Sequence, residues 1–295
     1  MSAREDALGP QHAVRAGHAV RAGHAVRAGH AVRAGHAVHA EWTKLRTLPS
    51  TGWLLLALVA STVLVGAAAT GTVGTENCPT PAQCFEDTAE LSLTGVRLGQ
   101  AVVVVLAVLM ISGEYSTGTI SVTFAATPRR VTLLLAKAAV VAGAVLGAGA
   151  LAVLGSLAAG RALLPGNGFT EAHGYPPLSL ADGPTLRAAV GTLLYLALVA
   201  LLALGVAAAV RDTAGALTSV LTLLYLAPVL SGLIADPQWQ ERIQRYAPMP
   251  AGLAVQATTH LERQPIGPWA GLGVLAAYAA AALLVGALLT VRRDP

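Results

Sequence analysis

The stretch LRAAVGTLLYLALVALLALGVAAAV, residues 186–210, holds a single charge, Arg187. As a helix rising about 1.5 Å per residue it runs about 37 Å, more than the ~30 Å hydrocarbon core of a bilayer. Only Arg211-Asp212-Thr213-Ala214 separates it from a second apolar run, Gly215–Ala235. So short a connection forces a tight antiparallel helical hairpin. Four more runs share this character: Trp53–Val73, Val96–Ser112, Val131–Gly160 and Pro268–Val291, with Val96–Ser112 the shortest. Backbone polar groups in lipid must be satisfied within the segment, so each run is expected to be an α-helix. The fold class is therefore all-α: a polytopic membrane protein with six transmembrane helices and short amphipathic connecting and coupling helices.

Composition points the same way. Of the 295 residues 55% are hydrophobic and 12% charged, and the mean hydropathy is +0.63. A soluble chain carries about 25% charged residues, so too little polar surface exists here to cover the apolar mass. The net charge of +4 is not a nucleic-acid signal, because its distribution follows the membrane. With the N-terminus inside, Arg15, Arg21, Arg27, Arg33, Lys44, Arg46, Arg129, Arg130, Arg211, Arg292 and Arg293 all fall inside. Arg161, Arg187, Arg242, Arg245 and Arg263 fall outside. The positive-inside bias thus predicts both termini in the cytoplasm. The first apolar run starts too far along for a cleaved leader and reads as an uncleaved signal anchor.

The two cysteines, Cys78 and Cys84, fall in the first expected external loop, Gly74–Gly95. That compartment permits a disulfide, and a structural disulfide and two free thiols both remain open. Residues 12–35 are four copies of His-Ala-Val-Arg-Ala-Gly, followed by an altered fifth. A six-residue period matches neither a helical face nor a solenoid unit, and the regular Gly weakens any helix. Residues 1–37 are expected to be a disordered basic tail without a metal site, and residues 38–295 a six-helix transmembrane domain.

Before the first span, Val38, Trp42 and Leu45 fall at i, i+4 and i+7, with Glu41, Lys44 and Arg46 pointing elsewhere. Pro49 ends the pattern. This predicts a short membrane-interface helix built on Trp42, Lys44, Leu45 and Arg46, with Trp42 in the headgroup layer. No phosphate-cradling Gly-x4-Gly-Lys-[Ser/Thr] loop, His-Glu-x2-His pair or Gly-x-Ser-x-Gly elbow occurs. Lys137 is the deepest ionisable residue of the spans and is expected to snorkel to the nearer surface.

The first internal loop, residues 113–130, reads GEYSTGTISVTFAATPRR. Gly113 loosens the end of the second span, Gly118 permits a turn, Pro128 breaks the chain and Arg129-Arg130 anchor the third span. The segment 119–126 is suited to a short amphipathic helix parallel to the membrane.

Here the chain resembles a family. Glu41-Trp-Thr-Lys-Leu-Arg46, Gly113-Glu-Tyr-x2-Gly-Thr-Ile120, Pro128-Arg-Arg130 and Lys137 are similar to motifs in the membrane permease subunits of type-2 ATP-binding-cassette (ABC) transporters. The short bacterial kind with six spans matches best. The resemblance implies a bacterial cell-membrane protein that pairs with a second permease subunit, homo- or heteromeric, and with a separate ABC ATPase subunit. That partner holds ATP and Mg, while this chain needs no cofactor and is no enzyme itself. It implies a partner-coupling element formed by Glu114, Tyr115, Gly118, Thr119, Arg129 and Arg130. Family members carry short external or re-entrant helices in the region matching Asp236–Gly267. Here Trp239, Ile243 and Tyr246 make one apolar face, and Pro248 and Pro250 break it.

Gly143 and Gly147 match the spacing of a helix-packing motif. The functional expectation is export of an amphiphilic or hydrophobic substrate. The competing expectation is a non-transporting anchor or immunity factor that binds a protein partner.

Overall fold

Pro49 sets the first boundary. A residue before proline is disfavoured in the α region, and Leu48 is extended, with φ −86° and ψ 114°. It separates a short helix α1 (38–47) from α2 (Pro49–Thr72), which has proline in its first turn. The computed structural model describes residues 35, 38–77, 86–116 and 130–292, with the side chains of 114–116 and 130 outside that description. Asp87 caps α3 (Thr88–Leu93), and a brief turn at Thr94-Gly95 leads into α4 (Val96–Ser116). Then come α5 (Arg130–Leu163), α6 (Gly183–Val210), α7 (Thr213–Leu233), α8 (Pro237–Tyr246), α9 (Pro248–Leu253) and α10 (Pro268–Arg292).

Six helices are long and apolar enough to cross a membrane, matching the six runs read from the sequence. The second is longer than Val96–Ser112 suggested, because α3 continues it back to Thr88. The hairpin at Arg211 forms as expected. Arg211 takes the left-handed conformation, with φ 62°. Asp212 then caps α7, its Oδ2 accepting from the Gly215 amide at 2.6 Å.

Inside the bundle the usual apolar logic is inverted. A helix apolar all round has no hydrophobic reason to prefer one face in lipid, so close contact and polar pairing choose the inward side. In α2 the buried stripe is Thr51, Leu58, Thr62, Gly66 and Thr70, while Trp53, Leu56 and Leu64 are exposed. Helix α6 is the hub. Tyr195, Leu196, Val199, Ala200 and Ala203 are wholly buried, and α6 packs on α4, α5, α7 and α10. At Gly95 a Cβ would run into the Thr62 carbonyl, so α2 and α4 meet backbone to backbone. Gly143 and Gly147, by contrast, have nothing within 4 Å. The sequence match there marks no contact within the bundle.

α8 ends at Tyr246, before the prolines expected to break it. Pro248 and Pro250 end α8 but lie in the first turn of α9, where proline is tolerated. Met249, Ala251, Leu253 and Val255 are buried, so the segment re-enters the bundle between α6 and α10. A Cβ at Gly271 would overlap the Ala251 carbonyl oxygen. α8, with no buried residue, stays on the surface and exposes Trp239 and Tyr246.

Candidate functional site

The least expected grouping of charges lies at the α1 end of the bundle. Lys137, about two turns into α5, is 3% exposed, and Glu41 of α1 is 2% exposed. The Lys137 Nζ donates to Glu41 Oε2 at 2.8 Å and to the Met110 carbonyl of α4 at 3.3 Å. From the solvent side, Lys44 Nζ approaches Glu41 Oε1 at 3.4 Å. Each buried ion loses several kcal/mol of hydration, and only a close partner with further hydrogen bonds offsets that cost. One ammonium therefore clamps three helices that are distant in sequence.

This corrects one expectation: Lys137 does not snorkel; it turns inward to an acid. In α1 Glu41 and Leu45, one turn apart, are buried against the bundle, while Val38 and Trp42 are exposed. The buried ammonium selects an acid at that position. Lys44 and Arg46 are also exposed. The depth of Lys137 was the usable signal, since a charge that far into a span demands a partner.

Glu114 and Tyr115 belong to the last turn of α4 and Arg130 opens α5. Their side chains lie outside the described residues, as do Gly118, Thr119 and Arg129 entirely. Cys78, Cys84 and the histidine repeat through residue 34 also lie outside them. Among the described residues, no three His, Cys, Asp or Glu side chains gather as a metal-binding group.

The opposite end of the bundle holds a second polar network. Asp87 does more than cap α3. Its Oδ1 accepts from the Ala89 and Glu90 amides, each at 3.1 Å, and from Thr258 Oγ1 at 2.8 Å. Its Oδ2 accepts from the amides of Thr258 and Thr259. Arg187 Nη2 donates to the Ala257 carbonyl at 2.7 Å. Deeper, the Tyr195 hydroxyl donates to Gln100 Oε1, and Gln100 Nε2 reaches Met249 Sδ at 3.2 Å. Gln256 Nε2 donates to Thr192 Oγ1 at 3.1 Å. Apart from the Asp87 cap of α3 and the Tyr195–Gln100 bond between α6 and α4, these bonds run from α9 or the segment after it to α3, α4 and α6. They hold the re-entrant piece in place without an apolar driving force.

The clamp and the far-end network each fix a short surface or re-entrant helix to the long spans. The sequence matches no protein-family model and no curated protein. Length, apolarity and packing of the six long helices establish an all-helical, multi-pass membrane protein.

Proposed function

We propose that this chain is the membrane permease subunit of a type-2 ABC exporter. It works beside a second permease subunit and an ATPase that hydrolyses ATP on a separate chain. One observation supports this above all. Two of the sequence blocks that carry the resemblance, Glu41–Arg46 and Lys137, meet directly, close to where α4 leads into the third. Lys137 touches Glu41 directly and the Met110 carbonyl three residues before Gly113. A push delivered to the loop after α4 reaches α1, α4 and α5 together through this clamp. In this reading the clamp end faces the cytoplasm, both termini are cytoplasmic, and the protein resides in a bacterial cell membrane. The arginine distribution supports that orientation. A cysteine introduced at Asp294, with Cys78 and Cys84 replaced, is expected to resist an impermeant thiol reagent in intact cells. Rapid labelling there reverses the orientation.

The direct test is co-purification with an ABC ATPase from the same cell, followed by hydrolysis and efflux in reconstituted vesicles. Glu114→Ala is expected to insert normally and to weaken ATPase association about 10- to 150-fold, the worth of a lost charge-assisted contact of about 1.5–3 kcal/mol. Wild-type protein that binds no ATPase while its bundle stays folded makes the anchor reading the better one. Wild-type association with an unaltered Glu114→Ala variant keeps the permease and removes Glu114 from coupling.

A further inference from the structure

At the end of the bundle opposite the clamp, a cavity of mixed polar and apolar lining and an apolar groove meet at Arg97. The cavity, about 300 Å³, lies beneath α8 and α9 and is lined by Glu90, Arg97, Ser231, Gln244 and Gln264 among others. The groove, about 700 Å³, runs along α2, α4 and α7 between Val65, Leu98, Ala101, Leu221, Leu226 and Val229. Arg97 lines both and is the only ionisable side chain except Tyr225 that lines the groove. It pairs with Glu90 by a single long contact, Nη2 to Oε1 at 3.8 Å, and both side chains stay partly exposed, 53% and 37%. The Tyr225 hydroxyl donates to the Arg97 backbone carbonyl, tying α7 to the start of α4.

The depth of this junction matters. Arg97 lies sixteen residues from Gly113 along α4, about 24 Å along the axis. That is close to the full ~30 Å of the hydrocarbon layer. An apolar groove that opens sideways and ends at that level in a paired cation and anion has the layout of a lipid molecule. Its tail region meets aliphatic side chains, and its head meets one charge of each sign.

We propose that this groove and cavity bind a zwitterionic phospholipid bearing a primary amine. Its phosphate would take the Arg97 guanidinium and its ammonium the Glu90 carboxylate, replacing the loose contact between the two. The pair itself selects the head. A purely anionic head would meet Glu90 as a like charge. A quaternary ammonium has no N–H to give that carboxylate, whereas guanidinium and phosphate match as fork and acceptor. As a binding site the proposal stands without transport; as a cargo site it rests on the permease reading.

The experiment uses the purified full chain alone in detergent, with no ATPase, so its failure is separate from failure of the permease reading. Lysophosphatidylethanolamine, lysophosphatidylglycerol and lysophosphatidylcholine of one acyl chain are offered together, and bound copies are counted by native mass spectrometry. The expected result is about tenfold preference for the ethanolamine head, equal to about 1.4 kcal/mol. Glu90→Gln is expected to erase its advantage over the glycerol head. Arg97→Gln is expected to weaken all three. Leu226→Trp, which fills the groove without touching the charges, is expected to block uptake and keeps the test open if a charge variant fails to fold. Equal uptake of the three heads by wild type overturns the proposal, as does unchanged binding in Arg97→Gln. So does a bismaleimide cross-link between two copies through Leu226→Cys with Cys78 and Cys84 replaced, joined to absent lipid uptake. That result makes the groove an interface between copies.

Discussion

Glu41→Ala is expected to destabilise the bundle by at most about 3–5 kcal/mol, the cost of breaking a buried ion pair. Lys137 would keep the Met110 carbonyl but lose the carboxylate at 2.8 Å, in a place where it is 3% exposed. Lys137→Ala is expected to cost less, because Glu41, though buried as deeply, keeps Lys44 at 3.4 Å. The double variant Glu41→Leu/Lys137→Met should recover much of the loss. Apolar replacement of a whole buried pair is often close to neutral, while removal of half of it is not. Folded fraction after a thermal challenge in detergent, read by size exclusion, gives the order of the four proteins. If the two single losses simply add in the double variant, the ion pair does not link α1 to α5. The double variant also separates stability from function. If it folds yet uncouples hydrolysis from efflux, the clamp's rigidity is what the proposed transport cycle uses.

The spans were legible because a bilayer imposes length and apolarity on each helix independently of its neighbours. Leu186–Val210 and Gly215–Ala235 needed no tertiary information, and the Arg211-Asp212 connection carried its own cap. What the helices do with one another was less legible. The inward faces of α2 and α4 are chosen by Thr62, Gly66 and Gly95, which no apolar period marks. Gly143 and Gly147 show the reverse case, a spacing that arises easily in an Ala/Gly-rich chain and here points away from the bundle. In α1 the apolar pattern could not show that Glu41 turns inward, because its partner is a lysine ninety-six residues on. Pro248 and Pro250 read as breakers along the chain; only the space between α6 and α10, opened by Gly271, makes them the start of a buried turn.

Asp87→Ala is expected to release the re-entrant segment while leaving the six spans in place. The carboxylate accepts from two amides at the start of α3. It also accepts from the amides of both Thr258 and Thr259 and from the hydroxyl of Thr258. Loss of the cap alone costs about 0.5–2 kcal/mol, and a lost hydrogen bond to a charged group costs about 1.5–3 kcal/mol. These terms overlap, so about 2–4 kcal/mol of local stability is the expected loss. Because α9 is held by polar bonds from several helices, the effect should stay local. Amide hydrogen exchange across residues 248–260 should speed up about 30- to 1000-fold, since each ~1.4 kcal/mol is a factor of ten. Exchange in α6 and α10 should change little. Asp87→Asn is the sharper variant, because it preserves shape but turns one of the two acceptor positions into a donor. An NH2 group facing the Thr258 and Thr259 amides is repelled, so Asn should free the segment after α9 while keeping much of the α3 cap. Exchange in 248–260 that stays at the wild-type rate in both variants would show that Gln100, Gln256 and Arg187 hold α9 without Asp87. Faster exchange confined to residues 88–93 would reduce Asp87 to a helix cap. Acceleration across 248–260 identifies it as the fastening between the start of α3 and the re-entrant helix, whose release changes the roof of the cavity lined by Glu90 and Arg97.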